Sequence, residues 1–229
     1  MVGPTDRSVG RPTVRAGMKA STAPELRSRD KILDAAEVLF AKRGYAGVGL
    51  SEVAEVVGLG KSSLFHHFQT KAQLYAAVTA RILRRIEERL MRSLARGGDP
   101  VARFERWLDE LVDLLVENPT YARLLLRALF EDDDLPGDMP EEVEARRATD
   151  GIMASVGALL REGMGSGVFR AAHVQHTLLS LVGIMVFPFA SGEFGAEVLG
   201  RDIFDAAEVR RRKREVRELL RFGLVAHGG

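Results

Sequence analysis

Lys61, Ser62, Ser63, His66, His67 and Lys71 stand close together in the chain and offer ammonium, hydroxyl and imidazole groups. Two kinds of chemistry use such a set. Gly60-Lys61-Ser62 matches the closing triplet of a P-loop, in which backbone N–H groups cradle a nucleotide and the lysine reaches its phosphates. That pattern requires a glycine five positions before its last one, and Glu55 stands there. It also requires a preceding apolar strand, whereas residues 50 to 57 have helical spacing. The chemistry left is recognition of a nucleic acid, in which lysine and hydroxyl groups bond phosphate oxygens and polar side chains reach base edges.

The elements around these residues suit that use. Val53, Ala54 and Val57 fall at i, i+1 and i+4, the stripe of a helix of about two turns. Gly58 follows the last periodic residue, where a left-handed glycine ends a helix and lets Leu59 fold back on the preceding turn. The chain restarts at Gly60 or Lys61, with Leu64, Phe65 and Phe68 as the apolar face and Lys61, Ser62, Ser63, His66 and His67 outside. Two short helices joined by a glycine-containing turn form a helix-turn-helix, whose second helix enters the major groove N-terminus first.

From about Arg29 to Leu74 the sequence resembles the tetracycline-repressor (TetR) family of bacterial transcription regulators. Ile32, Ala35, Ala36, Leu39 and Phe40, followed by Gly44-Tyr45, are similar to the family's opening helix. Val53-Ala54 with Val57-Gly58 is similar to its "IA..AG" stretch, and Leu64-Phe65-His66-His67-Phe68-Gln69-Thr70-Lys71 with Leu74 to its "LY.HF..K..L" signature. Three positions depart from the pattern. Val48-Gly49 and Gly60 replace the residues that usually cap the second and third helices, and glycine supplies no side-chain oxygen there. Phe65 replaces the signature tyrosine, so it offers a sugar or thymine methyl an apolar contact but no phosphate hydrogen bond. The resemblance implies DNA contacts from Lys61, Ser62, Ser63, Phe65, His66, His67 and Lys71, the last holding a phosphate from the start of the fourth helix.

Composition limits the other classes. The chain has 229 residues, 46% hydrophobic and 28% charged, enough to bury a core in one large or two modest domains. Zero cysteines exclude a disulfide framework, thiol catalysis and cysteine-bound zinc, and suit the reducing cytoplasm. Leu178 to Ala190, the longest mainly apolar run, is too short to span a bilayer, and the first residues lack the apolar core of a signal peptide; no membrane association and no export are expected. Net charge is +1, but residues 1 to 31 hold seven basic and three acidic residues, a local +4. Residues 1 to 24 are expected to be a basic arm. Either it reaches a phosphate backbone or minor groove, or it is a solvated tail.

After Lys71 the pattern is helical throughout, so the expected fold is all-α: a DNA-binding unit over 25 to 86 and a larger helical unit over 87 to 229. Gly97-Gly98-Asp99-Pro100 ends the helix that begins near Leu74, and three further helical segments precede a final pair. Leu178 to Val186 is apolar on nearly every face and needs burial all round. The last helix, about Asp205 to Val225, has one stripe of Val209, Val216, Leu219, Leu220, Gly223 and Leu224. Its basic run at 210 to 214 is expected to be a solvated face paired internally, Glu208 with Arg212, Arg211 with Glu215 and Arg214 with Glu218. In the family these two helices pair with their copies, and a homodimer suits a two-fold operator.

The resemblance also implies a pocket among the middle helices, occupied by a small effector. Phe104, Trp107, Leu111, Leu125 and Phe130 are candidates for its wall, as are Met153, Val156, Leu160, Met185 and Phe187. Any of them serves equally well as core; an apolar, methionine-containing set suits a hydrophobic ligand. His173 and His176 are spaced to share a metal, but no third ligand stands at a fixed spacing, so no metal is expected. There is no G-x-S-x-G turn, no strand-linked G-x-G-x-x-G and no H-E-x-x-H. Gly163, Gly165 and Gly167 follow a helix rather than a strand, so neither an enzyme nor a bound cofactor is expected. The expected function is that of a DNA-binding regulator, a repressor released from a palindromic operator by its ligand. The other reading is a helical adaptor, for which solvent exposure alone accounts for the polar face of residues 61 to 67.

Overall fold

The computed structural model describes residues 23 to 131 and 137 to 226, with side chains from Arg27 onward except those of Phe130 and Glu131. The expected arm lies outside them, apart from residues 23 and 24, which already belong to the first helix. Among the described residues ten helices follow in order: α1 (Ala23–Arg43), α2 (Leu50–Val56), α3 (Lys61–His67), α4 (Lys71–Leu94) and α5 (Pro100–Glu117), then α6 (Pro119–Glu131), α7 (Pro140–Gly165), α8 (Val174–Ala190), α9 (Glu193–Leu199) and α10 (Ala206–Leu224). An isolated bridge between Phe169 and Val225 is the single extended pairing among the described residues. The fold is all-α.

Helix α4 organises the molecule. Its start is capped by Thr70, whose Oγ1 accepts from Gln73 N at 3.0 Å, and it runs unbroken to Leu94 because its apolar face is buried along its whole length. Residue 86, where the two units were expected to divide, therefore lies inside one continuous helix. The first half of α4 packs on α1, where Phe40, Tyr45 and Tyr75 form an aromatic cluster with ring centroids 5.0 to 6.5 Å apart. The buried Arg81 of α4 donates to Asp34 at 2.7 Å and to Glu37 at 2.9 Å, and Glu37 accepts from Thr120 of α6 at 2.6 Å. This network ties α1 to α4 and α6. Along its length α4 also lies parallel to α7: Gln73 meets Glu141, Glu87 meets Arg147, and Met91 meets Ser155.

Expectation and structure part at the C-terminal end. Helix α9 had no counterpart in the sequence reading. Helix α8 is not buried all round: Leu181, Met185, Val186 and Phe189 face inward, whereas Leu179 is 71% and Phe187 50% exposed. The single stripe expected on α10 divides in two, with Val216 and Leu224 buried and Leu219 60% exposed; Phe222, outside that stripe, is 70% exposed. The basic run is not paired within its own helix as expected. Arg212 donates to the Ile184 carbonyl of α8, and burial pushes its guanidinium below its ordinary value. Arg211 reaches Glu208 one turn back at 3.5 Å, and Arg214 its neighbour Glu215 at 4.0 Å. Lys213, Arg217 and Arg221 instead pair with Asp113, Asp109 and Glu105 of α5. Gly163 is packing rather than a fingerprint, since a Cβ there would lie 2.1 Å from the Phe169 ring that covers it.

Candidate functional site

The turn between α2 and α3 follows from its glycine. Gly58 takes φ +67°, Gly58 N donates to Glu55 O at 3.1 Å and Leu59 N to Ala54 O at 2.9 Å, the paired bonds that close a helix through a left-handed residue. Gly49 and Gly60 precede α2 and α3 in extended conformation with no side-chain cap. Helix α3 is instead held by its apolar side, where Leu64 and Phe68 are fully buried and the Arg29 guanidinium lies 5.1 Å from the centre of the Phe68 ring.

Lys61, Ser62 and His66 are exposed and Ser63 and His67 half-buried on one outward side of α3. Phe65, expected on the buried face, is 45% exposed and belongs with the outward set. The buried face of α3 is therefore narrower than its apolar composition suggests, because so short a helix needs only Leu64 and Phe68 to seat it. Lys71 differs from the others. It is half-buried, its Nζ donates to the Tyr45 carbonyl at 3.0 Å, and it lies 4.2 Å from the centre of the Tyr45 ring. It fastens the loop after α1 to the start of α4. Gln69, which the sequence reading passed over, donates its backbone N–H to Gln73 Oε1 at 3.0 Å and fixes the turn between α3 and α4.

A cavity of about 460 Å³ lies behind this head, between α4, α5, α6, α7 and α8. Five of the expected wall residues line it: Trp107, Leu111, Leu125, Met153 and Val156. Phe104, Leu160 and Met185 are buried in the surrounding core instead, Phe104 stacking on Trp107 and meeting Phe169 edge-on, and Phe187 is exposed beside Phe194. The Phe130 side chain lies outside the described ones. The sequence reading missed the whole α4 side of the wall, which includes Tyr75, Thr79, Leu83, Ile86 and Leu90. Their helical spacing was a usable signal, since α4 carries a longer apolar stripe than the packing of α1 requires. His173 and His176 meet edge to face with ring centroids 4.9 Å apart, and among the described residues no three or more metal-ligating side chains cluster.

Comparison with known proteins decides the family. Residues 32–78 match the bacterial regulatory proteins of the tetR family, and residues 100–220, more than half of the chain, match the tetracyclin repressor-like C-terminal domain. The chain belongs to the TetR family. An uncharacterized HTH-type transcriptional regulator of Mycobacterium tuberculosis is 31% identical over 93 residues, covering 41% of this chain and 46% of the relative, so the match spans about half the relative's length. The HTH-type transcriptional activator FasR of Mycolicibacterium smegmatis is 24% identical over 163 residues, 71% of this chain and 72% of FasR. Among solved structures, AibR in complex with isovaleryl coenzyme A and operator DNA superposes with a TM-score of 0.68 at 17% identity, covering 83% of this chain and 96% of AibR. The ketosteroid transcriptional regulator KstR2 of Mycobacterium tuberculosis gives 0.65 at 15% identity, over 87% and 96% of the two chains. Among the described residues no single helix of this TetR chain is long and apolar enough to cross a membrane.

Proposed function

We propose that this TetR-family chain is a non-catalytic transcriptional regulator, a homodimeric repressor that binds a palindromic operator and is released from it by a small apolar effector. The observation that carries the reading is the division of α3, with Leu64 and Phe68 seated in the core while Lys61, Ser62, Phe65 and His66 face outward. Lys61 and Ser62 contact phosphates, Ser63, His66 and His67 reach base edges, and Phe65 meets a sugar or thymine methyl. Lys71 holds a phosphate from the start of α4. Residues 25 to 86 form the DNA-binding unit and residues 87 to 229 the effector-binding and dimerising unit, α4 serving as the rod common to both. The mainly apolar cavity beside that rod supports an effector site, as does the likeness to AibR, whose structure holds isovaleryl coenzyme A and operator DNA. An occupant favours one arrangement of the two heads over another through its differential affinity for the two.

Selection from a random duplex pool with the purified chain tests this directly. A two-fold symmetric consensus is expected, and Ser63→Ala or His67→Ala should change the preferred bases. Recovery of no consensus, or of one that neither substitution alters, would remove α3 as the reading helix.

A further inference from the structure

The cavity is not uniform along its length. Helices α4 and α7 run parallel beside it, so residues early in one lie near residues early in the other. At the early end stand Thr79 of α4 with Glu142, Arg146 and Thr149 of α7; at the late end stand Ile86, Leu90, Ile152, Met153 and Val156. One end is polar and charged, and the other is hydrocarbon.

The two charges at the polar end are not equivalent. Glu142 is buried, and its Oε2 accepts from Met139 N at 2.9 Å, so its carboxylate serves the N-terminus of its own helix, where a negative charge is stabilised. Arg146 is exposed at the mouth, and among the described residues its guanidinium has one acceptor, the Gly137 carbonyl at 2.9 Å. A guanidinium carries five N–H donors in a planar fork that fits a carboxylate two bonds at a time. The Thr149 hydroxyl donates to Ala145 O at 3.0 Å and keeps its lone pairs, and Thr79 Oγ1 has no partner among the described residues.

We infer that the effector is an amphiphilic carboxylate with a single apolar tail, inserted tail first, its anionic head held by Arg146 at the mouth near the start of α7. This rests on the effector site proposed above and names the class of molecule that fills it. The head would then lie on the half of α4 that carries the DNA-reading unit, with the tail away from it.

Trp107 lines the cavity and is the only tryptophan of the chain, so its emission reports occupancy without a label. The probes are dodecanoate, dodecanol and dodecyltrimethylammonium, each below its micelle-forming concentration, titrated into the full-length protein and into Arg146→Gln. Dodecanoate should give a saturable emission change at least tenfold tighter than the cationic probe. Arg146→Gln should weaken dodecanoate about tenfold and leave dodecanol within twofold. Saturable binding that ignores the head group, or preference for the cation, overturns the assignment of the head to Arg146; absence of saturation by all three overturns the amphiphile. Duplex binding by the unliganded protein is measured in parallel. If it holds while dodecanoate fails, the inference alone is lost; if dodecanoate binds while no duplex does, the regulator reading is lost and the site stands.

Discussion

The Gln73 side chain donates from Nε2 to Glu141 Oε1 at 3.1 Å and so joins the first turn of α4 to the first turn of α7. The same residue holds the turn that follows α3, its Oε1 accepting from Gln69 N and its own N–H donating to Thr70 Oγ1, each at 3.0 Å. One amide thus connects the rim of the cavity to the joint behind the reading helix. Glu141→Ala should raise amide exchange at residues 69 to 73 by several-fold while global stability falls by about 1 kcal/mol, the ordinary worth of one hydrogen bond. Gln73→Ala should raise it further, since it also loses the Gln69 bond. Unchanged exchange in both variants would falsify the connection.

Helix α10 is held to α5 by three charge pairs in antiparallel order: Arg221 with Glu105, Arg217 with Asp109 and Lys213 with Asp113. Each partner is four residues from the next, so both helices present one charged row. Exposed or half-exposed pairs stabilise by up to about 1 kcal/mol each. Asp109→Asn should therefore lower stability by no more than about 1 kcal/mol, and a double-mutant cycle with Arg217→Gln should give a coupling of about 0.5 kcal/mol that shrinks in high salt. Urea melts of the four proteins measure it, and a coupling of zero at low salt would assign these pairs to the surface alone.

This row shows where the sequence stops being legible. A spacing of four along a basic helix is satisfied equally by acids on the same helix and by acids on a neighbour, and nothing local separates the two. Arg217 and Arg221 find α5 because Val216 and Leu224 bury that side of α10, a fact of tertiary packing. The reading head is the opposite case. Gly58 ends α2 through bonds that reach back only to Glu55 and Ala54, so its geometry is written within the six residues from Ala54 to Leu59. The cavity lies between these extremes: Trp107, Leu111, Leu125, Met153 and Val156 could be picked out as apolar helical positions, but so could Phe104 and Leu160, which became core. Helical period says which side faces inward and not whether a void lies there.

Lys61 and Lys71 are both cations of the head, but only Lys71 is built into it. Lys61→Ala should reduce the slope of log affinity against log salt by about 0.9, the loss of one phosphate contact, with no change in melting temperature. Lys71→Ala should reduce the slope similarly and also cost about 1 kcal/mol of stability, through the lost bond to the Tyr45 carbonyl and the lost cation–ring contact. Tyr45→Leu should reproduce part of the stability loss and none of the slope change. A Lys71 variant that melts earlier but keeps the full salt slope would confine Lys71 to structure.

Leu179 and Leu219 lie on the exposed sides of α8 and α10, the two helices joined by the Arg212 bond to Ile184 O. Phe187 and Phe222 stand one or two turns further along the same helices and are exposed as well. Large apolar side chains left exposed on two helices suit a surface that another molecule covers. If a second copy covers it, Leu179→Glu with Leu219→Glu sets two unpaired charges against their symmetry mates and should give a monomer by sedimentation at micromolar concentration. Because both residues are exposed in the single chain, its helix content and melting of the monomer unit should change little. Operator affinity should fall by a hundredfold or more, since each head then binds its half-site without the other. A variant that still sediments as a dimer would place the contact elsewhere and leave this face to a different protein.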